Sequence, residues 1–180
     1  MRDVGIGLIG SGFIAEAHFE GFSHVPAAAV RGVASPTPGN AARFAAKRGI
    51  PRHHTDYRAL IEQPDVDVVC IGAPNDLHRD ICVAAASAGK HVICEKPLAT
   101  TRDDAAMLAD LARRSAAVTA VPFVYRYYPT VREARARIAA DEAGRLHFLH
   151  GSYLQDWLAL VGDTNWRVDP AHGGASRAFG

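Results

Sequence analysis

The chain opens with a short apolar run, Val4 to Gly10, that gives way at once to a glycine turn and then to a helical stripe. No other feature restricts the fold as much. The segment Gly7-Leu-Ile-Gly10-Ser-Gly12-Phe13-Ile14-Ala15 contains G-x-G-x-x-A. Gly10 permits a tight turn, and Gly12 lets backbone approach a pyrophosphate. Ala15 stands where a third glycine commonly lets helix and strand pack. Ile14, Ala17, His18, Gly21 and Phe22 then fall on one helix face, mostly small enough to lie close to a sheet. An anion would rest on the positive end of that helix, near Gly12. The strand-turn-helix setting reads as dinucleotide binding rather than as two incidental glycines.

The same alternation repeats along the chain. Val30 to Ala34 is a strand candidate, and Asn40 to Arg48 a helix ended by Gly49 and Pro51. Asp56 is placed to cap a short helix through Ile61, and Val66 to Gly72 reads as a third buried strand. Leu77, Ile81, Ala84, Ala85 and Ala88 form the next stripe, followed by a short strand from His91 to Cys94. Thr101 with Asp104 resembles a capping box before a helix whose face carries Leu108, Leu111 and Ala112. Ala117 to Phe123 closes the series as a strand. Near-continuous apolar strands between amphipathic helices predict a parallel sheet covered on both faces. With right-handed crossovers, residues 1–121 form an α/β, doubly wound domain.

After Pro122 the pattern changes. Pro129 to Ala140 reads as a helix, Gly144 as a turn, and Arg145 to Leu154 as a strand with polar residues interleaved. Residues 122–180 read as the start of a second, mixed domain that is cut short and leaves an unpaired sheet edge.

Charge excludes several partners. Twenty Lys and Arg balance nineteen Asp and Glu, a net charge of +1, with no general pull toward nucleic acid or anionic lipid. The longest apolar runs fall well short of the roughly 20 residues of a bilayer-spanning helix. The first glycine comes too early for a secretory hydrophobic region. Cys70, Cys82 and Cys94 each sit in an apolar run, and no pair has metal-ligand spacing. They read as small buried hydrophobes in a reducing, cytoplasmic compartment, with no metal site.

Three places at strand ends carry chemistry. Where an acid would read the ribose 2′-hydroxyl, the chain has Ala34-Ser35-Pro36-Thr37. Nothing there repels a 2′-phosphate, Ser35 and Thr37 are able to donate to one, and Arg43 is the nearby cation, so NADP is allowed as well as NAD. Arg43 is otherwise a solvated helix residue. Ala73-Pro74-Asn75-Asp76-Leu77-His78 follows the third long strand. It reads both as a ligand-side loop and as a proline turn in which Asn75 or Asp76 caps a helix, with His78 in a structural hydrogen bond. Glu95-Lys96-Pro97 follows the strand ending at Cys94, and in a dry cleft Lys96 would act on a hydroxyl proton. The competing reading of Glu95 and Lys96 is an exposed surface ion pair.

The remaining basic residues carry less. His53 and His54 precede a short helix and read as exposed. His147 and His150 share the predicted strand at a spacing that sends them to opposite faces, so they cannot hold one metal. Arg132, Arg135 and Arg137 with Glu133 read as a solvated helix face, without a nucleic-acid footprint.

Taken in order, GLIGSGFIAEAH, APNDLH, AGKHVICEKPLA, FVYRYYP and NWRVDPAHGGA resemble the glucose-fructose oxidoreductase / inositol dehydrogenase (Gfo/Idh/MocA) family. The resemblance implies a Rossmann domain holding NAD or NADP and a second α/β domain with an open sheet that supplies most substrate contacts. It implies hydride transfer to or from a sugar, polyol or related hydroxy or keto compound, and a homo-oligomer, dimer or tetramer, assembled through the second sheet. By resemblance, Gly10, Gly12, Phe13 and Ile14 cradle the cofactor and Ala73, Pro74 and Asn75 line its path. Glu95 and Lys96 sit by the nicotinamide ribose, with Lys96 catalytic or orienting. Tyr125 and Arg126 resemble the segment entering the second domain, and Trp166 with Arg167 a contact to the nicotinamide end. Two departures stand out: Val124 occupies a position where the family often has Asn, and the family's D-x-G-x-H-x-x-D segment would fall after Gly180. Two rival readings share the fold: an NAD-dependent glycoside hydrolase without net redox change, and a non-catalytic regulatory protein that binds the dinucleotide.

Overall fold

The computed structural model describes residues 3–173. Its contacts divide the chain into one unit that runs to Val121 and resumes at Trp166, and a second unit, Pro122–Asn165. The expected block 122–180 is thus shorter in the structure, because the segment from Trp166 packs with the first unit; residues 174–180 lie outside the described part.

The first unit is built on strands β1 (Val4–Ile9), β2 (Ala28–Ala34), β3 (His53–His54), β4 (Val68–Ile71), β5 (His91–Cys94) and β6 (Thr119–Ala120). All pair in parallel, in the order β3-β2-β1-β4-β5-β6. That order places the reversal between β1 and β4, the point at which open α/β sheets bind ligands. The helices are α1 (Phe13–Ser23), α2 (Asn40–Arg48), α3 (Tyr57–Ile61), α4 (His78–Ser87), α5 (Arg102–Arg114) and, after the second unit's α6 (Pro129–Ala139), α7 (Pro170–Gly173).

Strand alternation sorts the core onto two faces. Ile6, Leu8, Val33 and Cys70 meet Ala15 of α1 and Ala41 and Phe44 of α2. Ile9, Val69, Ile71 and Val92 meet Leu60 of α3, Ile81 and Ala85 of α4 and Leu108 of α5. Helix ends follow from local chemistry. Asp56 accepts the Arg58 N–H at 2.9 Å to start α3. Thr101 Oγ1 accepts the Asp104 N–H at 3.1 Å and donates to its carboxylate at 2.7 Å, which starts α5. Gly49, at φ +67°, ends α2 in a left-handed cap that a side chain would strain.

Three expectations need correction. His53 and His54, expected to be exposed ahead of a short helix, form edge strand β3, paired with Val33 and Ala34, and His54 is half-buried there while His53 is exposed. Two residues are too few to show a period. The closing strand β6 is confined to Thr119–Ala120 rather than spanning Ala117 to Phe123.

The third correction lies in the second unit, which holds α6 (Pro129–Ala139), with Pro129 at its first turn. Residues 145–154 form no strand. A strand exists only when a neighbour takes up its N–H and C=O groups, and no described segment does so here. Phe148, Leu149 and Leu154 are 84%, 86% and 89% exposed. The opposite-face argument for His147 and His150 therefore loses its basis, and the described residues do not form the sheet expected to carry a homo-oligomer. The unit's Tyr125 and Tyr153 hydroxyls lie 2.8 Å apart, and that hydrogen bond raises the Tyr125 phenol above its usual range.

Candidate functional site

At the β1–α1 turn the backbone does what the glycines predict. Gly10 has φ +110°, and a Cβ there would come within 2.5 Å of the Gly72 carbonyl oxygen at the end of β4. Only glycine permits that approach. Gly12 differs, since a Cβ there would meet no protein atom within 4 Å. Gly12 is the N-cap of α1 and offers no side chain to the free N–H groups of the first turn. Phe13 beside them is 87% exposed, while the Ile14 side chain occupies the space over Gly72. The Gly10 N–H donates to Ala34 O at 2.9 Å, tying the turn to the end of β2 and hence to the adjoining Ser35.

Past β4, Ala73 and Pro74 lead into a 3₁₀ turn, Asn75–Leu77. Neither Asn75 nor Asp76 caps α4 with its side chain, contrary to expectation, because that extra turn supplies the start of the helix. Asn75 is buried and donates to Gly173 O at 3.3 Å. Asp76 Oδ2 lies 3.3 Å from His172 Nδ1, and α7 packs against the turn. The chain from Trp166 to Gly173 thus returns to this loop, with the Arg167 guanidinium 4.4 Å from the Trp166 ring centre. Arg126 belongs to the second unit, where it is exposed.

His78 is 1% exposed, and its two ring nitrogens approach two carbonyls, Pro97 O at 2.8 Å and Ala73 O at 2.9 Å. It ties the loop after β4 to the turn after β5, the structural role its position suggested.

Glu95 follows β5 and is 8% exposed. One oxygen lies 2.8 Å from His18 Nε2 of α1, and the other accepts the Lys96 N–H at 3.2 Å. The Glu95 N–H donates to Ile71 O at 3.0 Å. The surface ion-pair alternative fails, since the carboxylate is turned inward to α1 and among the described residues forms no pair with the Lys96 ammonium. Lys96, joined to Pro97 by a cis peptide bond, is half-buried. His18 is the residue that sequence reasoning missed. Its one signal was a histidine on the sheet-facing stripe of α1.

Between the glycine turn and α2 lies a cleft of about 240 Å³ lined by Ser11, Asn40, Arg43, Phe44 and Lys47. Ser35, at the end of β2, is buried and donates its N–H to His54 O at 3.1 Å. Lys47 and Arg48 both bond Glu16, at 2.6 Å each, and hold its carboxyl below its ordinary range. Cys70, Cys82 and Cys94 are free and buried; burial pushes the Cys70 thiol up, away from reactive thiolate. Among the described residues, no group of His, Cys, Asp or Glu is arranged to hold a metal ion, and no helix is long and apolar enough to cross a membrane.

A family model described as an oxidoreductase family with an NAD-binding Rossmann fold matches residues 4–123. Levoglucosan dehydrogenase of Pseudarthrobacter phenanthrenivorans is 38% identical over 97% of this chain and 47% of its own length. D-xylose 1-dehydrogenase (NADP(+)) 2 of Haloferax volcanii is 33% identical over 80% of this chain and 43% of its own. A solved structure of levoglucosan dehydrogenase in complex with NADH and levoglucosan superposes with a TM-score of 0.91 at 36% identity, covering 97% of this chain and 50% of that one. The chain therefore spans about half the length of these relatives. The glycine turn, the strand order and this likeness agree: the chain belongs to the Gfo/Idh/MocA oxidoreductase family, with an NAD-binding Rossmann fold.

Proposed function

We propose that this chain serves an NAD(P)-dependent oxidoreductase that moves a hydride between nicotinamide and the carbinol or ketone carbon of a sugar, polyol or related compound. One observation carries the reading: the open first turn of α1, the loop after β4 and the Glu95–Lys96 turn converge at the sheet's switch point, joined by contacts of 2.8 Å at His18–Glu95 and at His78–Pro97. The relatives named above are sugar dehydrogenases, which supports the substrate class. Three buried free thiols suit a reducing compartment such as the cytoplasm.

The residues present fit a dinucleotide. The N–H groups at Phe13 and Ile14, past the uncapped Gly12, hold the diphosphate at the positive helix end, and Gly10 keeps the turn tight enough to expose them. Ala73, Pro74 and Asn75 line the path along the carboxyl edge, with Ser35 at the adenosine end and Trp166 and Arg167 toward the nicotinamide. When bound, the cofactor accepts or supplies the hydride. Glu95 fixes the backbone of Lys96 through its carboxylate. Lys96 orients the substrate oxygen by hydrogen bonding and moves the proton there.

The test is the full-length protein assayed against a sugar and polyol panel with NAD and NADP, following reduced dinucleotide by absorbance. Net dinucleotide reduction is expected, and Lys96→Met should lower kcat by about 10²–10⁴-fold. Glycoside cleavage without net reduction would replace this reading with the hydrolase, and tight cofactor binding without turnover across the panel would replace it with the regulatory protein.

A further inference from the structure

We propose that His18 is a positioning residue for Lys96, acting through the Glu95 carboxylate that it holds. The proposal rests on the oxidoreductase reading above and deepens it, adding a residue of α1 to the proton step at the turn after β5.

Every residue of that turn has a backbone group tied down. The Glu95 N–H donates to Ile71 O at the end of β4, at 3.0 Å. The Lys96 N–H donates to Glu95 Oε2 at 3.2 Å. The Pro97 carbonyl lies 2.8 Å from His78 Nδ1 of α4. The Lys96 side chain is the exception, since among the described residues nothing bonds its ammonium. A fixed root with a free head suits a group that must reach one atom of a substrate. The lysine stem is flexible, so the region its ammonium samples depends on how firmly the backbone beneath it is held.

The bond at Lys96 differs from its two neighbours. It depends on a carboxylate that turns about its own side-chain bonds, and it lasts only while that carboxylate stays turned. The other oxygen, Oε1, lies 2.8 Å from His18 Nε2, the one side-chain partner of Glu95 among the described residues. A carboxylate only accepts, so the ring donates. The ring is fixed in its turn by Phe22, one helical turn along α1, with ring centres 6.1 Å apart and planes 24° from parallel. The His18 and Glu95 side chains are 17% and 11% exposed, so little water competes for the carboxylate. Without the donor, a mostly buried oxygen loses its partner, which is costly. The carboxylate relieves that cost by turning toward another donor, and the Lys96 N–H is released.

The experiment uses the full-length protein with the member of the sugar and polyol panel that it oxidises fastest. Stopped-flow absorbance follows reduced dinucleotide through a single turnover, so product release does not mask the chemical step. His18→Phe and His18→Leu remove the donor and should slow that step by about tenfold or more. The KM for the sugar and the Kd for reduced dinucleotide should stay within about twofold of the native values. His18→Gln, whose amide N–H donates from a similar place, should recover most of the rate. In a Lys96→Met background the His18 substitutions should cost nothing further, because residues that act as a unit are not additive. Independently of turnover, the Lys96 amide should exchange with solvent several-fold faster in the two donor-less variants. Thermal melting separates a slowed step from a loss of folded protein. An unchanged single-turnover rate, or unchanged exchange at the Lys96 amide, overturns the proposal. A loss that His18→Gln does not repair, or that persists in full without Lys96, assigns His18 to the fold instead and overturns it too. Weaker binding at an unchanged rate does the same. If the native protein oxidises nothing in the panel, the oxidoreductase reading falls, and this proposal with it.

Discussion

Gly10 and Gly12 stand two residues apart and fail in different ways when replaced. A side chain at Gly10 collides with the Gly72 carbonyl and must adopt φ +110°, so the damage falls on the fold. At Gly12 the protein leaves the space empty, so a side chain collides only with a ligand. Gly12→Val should weaken dinucleotide binding by on the order of 2 kcal/mol, roughly 30-fold, with almost unchanged melting temperature. Fluorescence titration paired with thermal denaturation checks it; equal losses in both would show that Gly12 serves the turn alone. Single residues were legible in the sequence where backbone geometry dictates the residue type, as at Gly10, and where a loop must follow a strand, as at Lys96. Partners were not legible. Nothing in one dimension joins His18 to Glu95, 77 positions away, because that contact depends on how α1 lies across the sheet.

Among the elements, α1 is held from two sides. Glu16 ties it to α2 through Lys47 and Arg48, and His18 ties it to the turn after β5. These contacts predict different behaviour. The Glu16 carboxyl is lowered from its ordinary 4.5, chiefly by the hydrogen bond from Lys47. A depressed acid stabilises the fold above its unfolded-state value and loses that contribution as pH falls through the folded one. Stability should therefore drop as pH falls below about 4.5, and Glu16→Gln should flatten that part of a urea-denaturation pH series. The effect should be small because the site is solvent-screened. The part-buried His18–Glu95 pair should instead appear as coupling. In a cycle of His18→Leu, Glu95→Gln and the double variant, the changes in stability should be non-additive by about 1–3 kcal/mol. Strict additivity would mean that the 2.8 Å approach contributes nothing. Helices and long strands could be read from sequence because their periods repeat over many residues. The two-residue strands β3 and β6 were missed or overdrawn because pairing, not periodicity, defines them. The strand expected over 145–154 fails for the same reason in reverse: it has alternating side chains but no pairing neighbour among the described residues.

At the scale of the molecule, the first unit holds the core and the second exposes its apolar side chains. Leu60, 0% exposed and packed with the central strands, should be costly to truncate, and Leu60→Ala should lower stability by about 2–5 kcal/mol. Hydrogen exchange should show the contrast directly, with amides of β1 and β4 opening last and those of 145–154 exchanging first. Slow exchange in 145–154 would contradict the exposed backbone without strand pairing seen there. The three cysteines offer a readier measure of the same opening. Cys70 lies in β4, Cys94 ends β5 and Cys82 lies in α4, all out of reach of solvent. A thiol reagent should therefore find nothing to react with until the sheet itself comes apart. Nature has left this chain a built-in clock, in which the rate of thiol labelling reports the fraction of open molecules. A ligand that binds only the closed form slows that clock in proportion to its occupancy, so a screen for the missing substrate needs no assay of catalysis.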